Sequence, residues 1–207
     1  MNRAEGSSEE ALRRVSDFFM KNDNVHDTMA RLEKRLRDEE IPHAIIGGMA
    51  LALHGTGRPT SDVDVLTTRE GLQKIHERLV GRGYVPMFPG ARKALRDTTT
   101  GVQVEFITAG EFPGDGKPKA VSFPDPATAS VDRDGYTVLS LPKLVELKLA
   151  SGLTAEHRRY RDLGDVETII AYLKPPRELG EQIDASVRDE YYRMWDAAQN
   201  AFHPCNE

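Results

Sequence analysis

A single cysteine in 207 residues, Cys205 near the C-terminus, excludes an intramolecular disulfide framework and any cysteine-built zinc site. No apolar run approaches the roughly 20 residues that a membrane-spanning helix needs. The first residues lack the basic-then-apolar layout of a secretory signal. The expected location is therefore cytoplasmic, with no membrane partner. Charge of one sign is not in large excess either. The 28 basic and 33 acidic residues leave a net charge of −5, so there is no global pull toward nucleic acid, although a local basic patch is compatible with that balance. The histidines are scattered, without the ligand spacing of a motif such as HExxH. Internal repeats and low-complexity tracts are missing as well. What remains, 39% hydrophobic and 29% charged, is ordinary for a globular chain with one sizeable core.

Against that plain background one stretch stands out. Ile45-Ile46-Gly47-Gly48 is followed by Ser61-Asp62-Val63-Asp64-Val65-Leu66. Carboxylates at i and i+2 of a strand point to the same face. Like charges side by side raise each other's cost of ionising, so a partner is expected, and the simplest is a divalent cation held by both. The diglycine supplies backbone N–H groups free of side chains, which suits phosphate oxygens. Together the two features predict a metal–nucleotide site. A diglycine alone is usually only a turn, and it is the spacing from the acids that makes it specific.

The surrounding pattern places these residues. A capping box at Ser7-Ser8-Glu9-Glu10 predicts a helix with Leu12, Val15, Phe18 and Phe19 apolar. A second helix from Asn24 carries Val25, Met29, Leu32 and Leu36 on one stripe and ends at Pro42. His43 to Ile46 reads as a buried strand, Met49 to His54 as a short helix, and Asp62 to Leu66 as a strand. Arg69 to Val80 reads as a helix stopped by Gly81 and Gly83, and Tyr84 to Met87 as an edge strand because of Pro86. Ala91–Asp97 and Val102–Thr108 form a predicted hairpin. Gly110 to Pro126 reads as a long loop or a short strand around Ala120–Phe123. From Tyr136 onward the pattern is helical: one helix capped by Ser140, one from Glu156 to Leu173, and one from Glu178 to Phe202 with a break near Asp184. The fold class is α+β. The expected division is a helical extension over 1–40, a core over 41–138 and a helical region over 139–207.

In the second hairpin strand, Glu105 is a lone acid among apolar residues, on the face opposite Val104 and Phe106. If this strand lies beside the Asp62–Asp64 strand, three carboxylates gather, a set suited to two Mg²⁺ ions, with Mn²⁺ as a substitute. Asp62 and Asp64 then bind metal, and Glu105 is either a metal ligand or the general base. A strand acid facing solvent is the bland alternative.

Gly47-Gly48, Asp62-Val63-Asp64 and Glu105 resemble the pattern of the DNA polymerase β-like nucleotidyltransferase superfamily. Arg58-Pro59-Thr60-Ser61 before the acid pair is similar to its small bacterial members, among them the toxins of abortive-infection systems. Leu144 to Ala150 and Arg161-Asp162-Leu163-Gly164-Asp165 resemble their helical region. Two departures are visible: the third acid is usually Asp, and the thirteen residues from Gly48 to Asp62 are at the long end of the pattern. The resemblance implies a short mixed β-sheet flanked by helices, and transfer of a nucleoside monophosphate from NTP, ATP included, to an acceptor hydroxyl with release of pyrophosphate. Relatives use small molecules, tRNA ends or protein side chains as acceptors, and an oligomer or antitoxin partner is compatible with the resemblance.

Other residues carry two readings. Arg58 grips nucleotide phosphates, with Thr60 and Ser61 assisting, or is a solvated loop arginine. Lys148 reaches the triphosphate or snorkels from a packed helix. Arg161, Asp162 and Asp165 support the site or form a structural network. For the whole chain, two alternatives stand beside the transferase: a nucleotide-binding module without turnover, and a metal-dependent phosphohydrolase or nuclease.

Overall fold

A computed structural model describes residues 24–201 of the chain. The helix predicted around Leu12 to Phe19 lies outside those residues. Helix α1 runs over 24–38, and its stripe of Val25, Met29, Leu32 and Leu36 is buried. Each such apolar side chain contributes about 1.5–3 kcal/mol when fully withdrawn from water.

Strand β1 (His43–Ile46) leads directly into α2 (Gly47–Leu53), and β2 (Asp62–Thr67) follows. Helix α3 (Arg69–Leu79) starts where Thr68 Oγ1 accepts from the Gly71 N–H at 2.9 Å. Then come β3 (Tyr84–Pro86), β4 (Ala94–Asp97) and β5 (Gln103–Thr108). A short α4 (Pro126–Ala129) precedes the hairpin β6 (Ser130–Arg133) and β7 (Tyr136–Leu139). Helices α5 (Leu141–Thr154) and α6 (Glu156–Leu173), a 3₁₀ turn (Arg177–Gln182) and α7 (Ala185–Ala201) complete the chain.

The strands form one mixed sheet in the order β3-β4-β5-β2-β1-β7-β6. Among these strands β2–β5 and β1–β7 pair in parallel and the other neighbours antiparallel. The proline-bearing β3 takes an edge, where a missing N–H costs no ladder bond. The architecture is thus a mixed sheet flanked by helices, with a helical C-terminal region. One hydrophobic cluster unites α1, the central strands and α5 to α7. Among the described residues no helix is long and apolar enough to cross a membrane.

Two expectations are corrected and one alternative is decided. The β6–β7 hairpin takes up residues that read as loop and helix approach. Its outer strand, Ser-Val-Asp-Arg, is a polar edge strand with little apolar alternation to announce it. Of the two readings of Gly110–Pro126, the loop holds and the strand does not: two backbone bonds, Gly110 N–H to Phe123 O and Phe123 N–H to Glu111 O, both 2.8 Å, close the loop on itself. Ser140 stands at the N-cap of α5, but its hydroxyl makes no capping bond. The break near Asp184 is present, and Asp184 itself accepts from the Ser186 N–H at 2.8 Å to start α7.

Helix α5 is buried without interruption from Leu144 to Gly152, so its polar side chains need partners inside. Glu146 receives Lys143 Nζ at 2.9 Å and the Asp184 N–H at 2.7 Å. Lys148 and Ser151 are satisfied by α6, and that contact leads into the site.

Candidate active site

Strand alternation turns Asp62 and Asp64 to one face of β2 while Val63 and Val65 are buried on the other. Parallel β5 lies beside β2 in register, with Asp64 opposite Glu105 and Asp62 opposite Gln103. On the other flank, antiparallel β1 sets Ile46 opposite Asp64. Strand β1 therefore delivers its diglycine to the edge of the acids.

Gly47 has a φ of +64°, and a Cβ there would lie 2.0 Å from Asp64 Oδ2. Only glycine meets both conditions. A Cβ on Gly48 would lie 2.9 Å from the Cβ of Thr60. Thr60 Oγ1 in turn donates to Asp62 Oδ1 at 2.7 Å. The diglycine thus approaches one acid directly and the other through Thr60.

Burial pushes the Asp64 carboxyl up to about 6, with the negative charges of Asp62 and Glu105 adding to the rise. Lys148 and Arg158 oppose that rise without cancelling it. This is the response of crowded carboxylates whose compensating positive charge is insufficient.

These acids face an open cleft of about 230 Å³. Gly47, Asp64 and Glu105 line it from the sheet, Phe112 and Phe123 from the loop after β5, Leu144 and Lys148 from α5, and Arg158 and Asp162 from α6. The loop is a fixed wall. At Gly114 (φ +74°) it presses on α5 so closely that a Cβ would overlap Thr154 Oγ1. Lys119 Nζ ties it down, donating to Pro113 O at 2.7 Å and Thr154 Oγ1 at 2.9 Å and pairing with Asp115. Glu111 accepts from Thr108 Oγ1 at 2.5 Å and pairs with Lys93.

Behind the cleft runs a buried ion-pair network. Lys148 Nζ donates to Asp165 Oδ2 at 2.6 Å and to Asp162 Oδ1 at 3.3 Å. Ser151 Oγ donates to Asp162 Oδ2 at 2.6 Å. Arg58 Nε reaches the free oxygen of Asp165 at 3.1 Å. The Asp162 and Asp165 pairings hold Lys148 with its ammonium at the cleft wall.

The structure thus gathers Gly47, Asp64, Glu105 and Lys148 around one cleft, with Asp62 on the same face. Arg58 points instead to Asp165, in a neighbouring groove. Ser61 is exposed and Gly48 is buried behind Thr60. Glu105 is exposed, and among the described residues no three His, Cys, Asp or Glu side chains converge as a ready-made cation cage. Arg158 escaped the sequence reading. Its signal was present, since Arg158, Asp162 and Asp165 at i, i+4 and i+7 share one helix face.

No family model matches the sequence, and no curated protein matches it. Solved structures with a similar chain path include a Thermotoga maritima protein provisionally termed a nucleotidyltransferase, 21% identical over 72% of this chain and 89% of that one, with a TM-score of 0.43. JHP933 from Helicobacter pylori is 14% identical over 87% and 94% of the two chains, with a TM-score of 0.47. The antibiotic-resistance factor ANT(2'')-Ia is 13% identical over 89% and 96%, with a TM-score of 0.44. These likenesses are of chain path, at identities too low to carry a residue's role from one protein to another.

Proposed function

We propose that the chain is a metal-dependent nucleotidyltransferase of the polymerase β-like kind, with its core over 41–138, a helical extension over 1–40 and a helical region over 139–207. The observation that carries the reading is the in-register pair Asp64–Glu105 beside Gly47, opening into a cleft with Lys148 and Arg158 on its far wall.

The donor set fits a hard divalent cation: oxygen ligands on one strand face, an Asp64 carboxyl pushed up by burial and by the charges of Asp62 and Glu105, and a glycine that leaves room beside Asp64. Asp62 and Asp64 would hold Mg²⁺, which when bound neutralises phosphate charge and lowers the cost of deprotonating an attacking hydroxyl. Thr60 keeps Asp62 in one orientation through its hydroxyl. Lys148 and Arg158 face the acids across the cleft and meet the charge of the triphosphate as pyrophosphate leaves. Glu105, the most exposed of the three acids, takes the proton from the acceptor hydroxyl. Phe112 and Phe123 give the cleft an apolar side for a nucleobase.

A second reading, nucleotide binding without turnover, draws on one fact: Glu105 stands exposed and no three acids converge among the described residues. One experiment tests both. Each of the four NTPs is titrated calorimetrically into the protein with Mg²⁺, alongside the Asp62→Ala/Asp64→Ala variant, and pyrophosphate release is followed in parallel. Metal-dependent binding that the variant loses supports the nucleotide site, and pyrophosphate release then selects the transferase. Well-folded protein that binds no NTP overturns both.

A further inference from the structure

Beside the cleft along α6 lies a second open groove of about 310 Å³. Arg58, Tyr160, Arg161 and Gly164 line it, with Leu51 and Thr168 at its sides. Its acid, Asp165, is already engaged by Lys148 and Arg58. Three features set the groove apart from an ordinary solvated helix face. Tyr160 is 91% exposed, a large aromatic side chain held almost wholly in water. Gly164, one turn further along, has open space where a side chain would stand, leaving a notch beside the ring. Glu156 to Arg161 carries three arginines against one acid in a protein with a net charge of −5. Among the described residues Arg161 forms no ion pair, and Arg58 spends only its Nε on Asp165.

We infer that this groove holds one nucleotide of a single-stranded polynucleotide acceptor, its base stacked on Tyr160 and its flanking phosphates on Arg161 and Arg58. An exposed aromatic face next to guanidinium groups with N–H donors to spare is what a strand with free bases recognises, whereas a duplex keeps its base faces hidden. The placement fits a strand on its way to the reaction. Arg58, Thr60 and Asp62 lie within five residues of one another, and Asp165 joins Arg58 to Lys148 of the cleft. Arg158 lines the cleft and Arg161, three residues on and so its neighbour on the helix surface, lines the groove, and the two sites share a run of cations. The inference rests on the transferase reading for why a strand would approach, and it assigns the acceptor class that reading leaves open.

The test measures fluorescence anisotropy of labelled single-stranded RNA and DNA oligonucleotides of about 12 nucleotides with the full chain, without NTP. Its failure is therefore separate from failure of NTP binding. Binding of either strand should weaken with salt, and Arg161→Ala should make the log–log salt slope shallower by about 0.7. Tyr160→Ala with Arg161→Glu should lower affinity about tenfold or more. Arg159→Glu changes net charge by the same amount as Arg161→Glu, but Arg159 acts on Glu190, away from the groove. It should cost much less. Circular dichroism confirms that each variant is folded. No binding of either strand, equal loss in Arg159→Glu, duplex bound as tightly as single strand, or binding of anionic phospholipid vesicles with oligonucleotide ignored would each overturn the inference.

Discussion

Lys148 Nζ stands 2.6 Å from Asp165 Oδ2 at the back of the cleft, with both side chains more than nine-tenths buried. Their pairing makes one residue serve both the fold and the site. Replacing Lys148 with Met leaves two buried carboxylates: among the described residues Asp165 keeps its pair with Arg58, and Asp162 keeps only the Ser151 hydroxyl. The expected loss is about 3–5 kcal/mol of stability, read by urea unfolding. Adding Asp165→Asn should recover a substantial part of it. Activity lost in Lys148→Met alone is thus no measure of a catalytic role.

Gly47→Ala should uncouple folding from binding. The positive φ costs about 1 kcal/mol, and the new methyl group displaces the Asp64 carboxylate. The variant is expected to fold with a modestly lowered Tm and to lose metal-dependent NTP binding by calorimetry.

Asp64→Asn removes a charge that its neighbours Asp62 and Glu105 repel. Near neutral pH and without divalent cations it should raise stability by about 1 kcal/mol. Mg²⁺ should raise the Tm of the wild type and leave that of the variant unchanged. A variant that is less stable than wild type in chelator would contradict the repulsion described here.

Acid should loosen α1 from the sheet through Glu33. Burial alone would push its carboxyl up, but hydrogen bonds from His43 and Thr137 outweigh it and hold the group below the usual range. A depressed folded value means that the stabilisation is complete above the unfolded value of about 4.5 and is lost as pH falls through the lower, folded value. Wild type should therefore lose stability as pH falls below about 4.5, and Glu33→Gln should flatten that part of the curve. Thermal melts at stepped pH read the difference.

The sequence was most legible where periodicity was strong and local. The stripe of α1, the strand–diglycine–helix run, the β4–β5 hairpin and the limits of α6 could all be read from apolar spacing and turn residues. Non-local pairing could not. Nothing in residues 62–67 or 103–108 states that the two strands lie parallel and in register, which is what sets Glu105 beside Asp64. The β6–β7 hairpin was missed because Ser130–Arg133 is polar and β7 runs straight into a helix. Arg58 and Lys148 were legible as cations near phosphate-handling motifs, but not as the two partners of one aspartate. That depends on where α6 lands, a matter of packing between segments about 100 residues apart.

The order of the chain has a consequence for its synthesis. Gly47, Asp62, Asp64 and Glu105 leave the ribosome long before Lys148 and Arg158, and β1 waits for β7 to cover its open side. A product that stops after β5 owns Asp62, Asp64 and Glu105 and neither cation of the far wall. The cleft lacks its full cationic wall until α6 has been made.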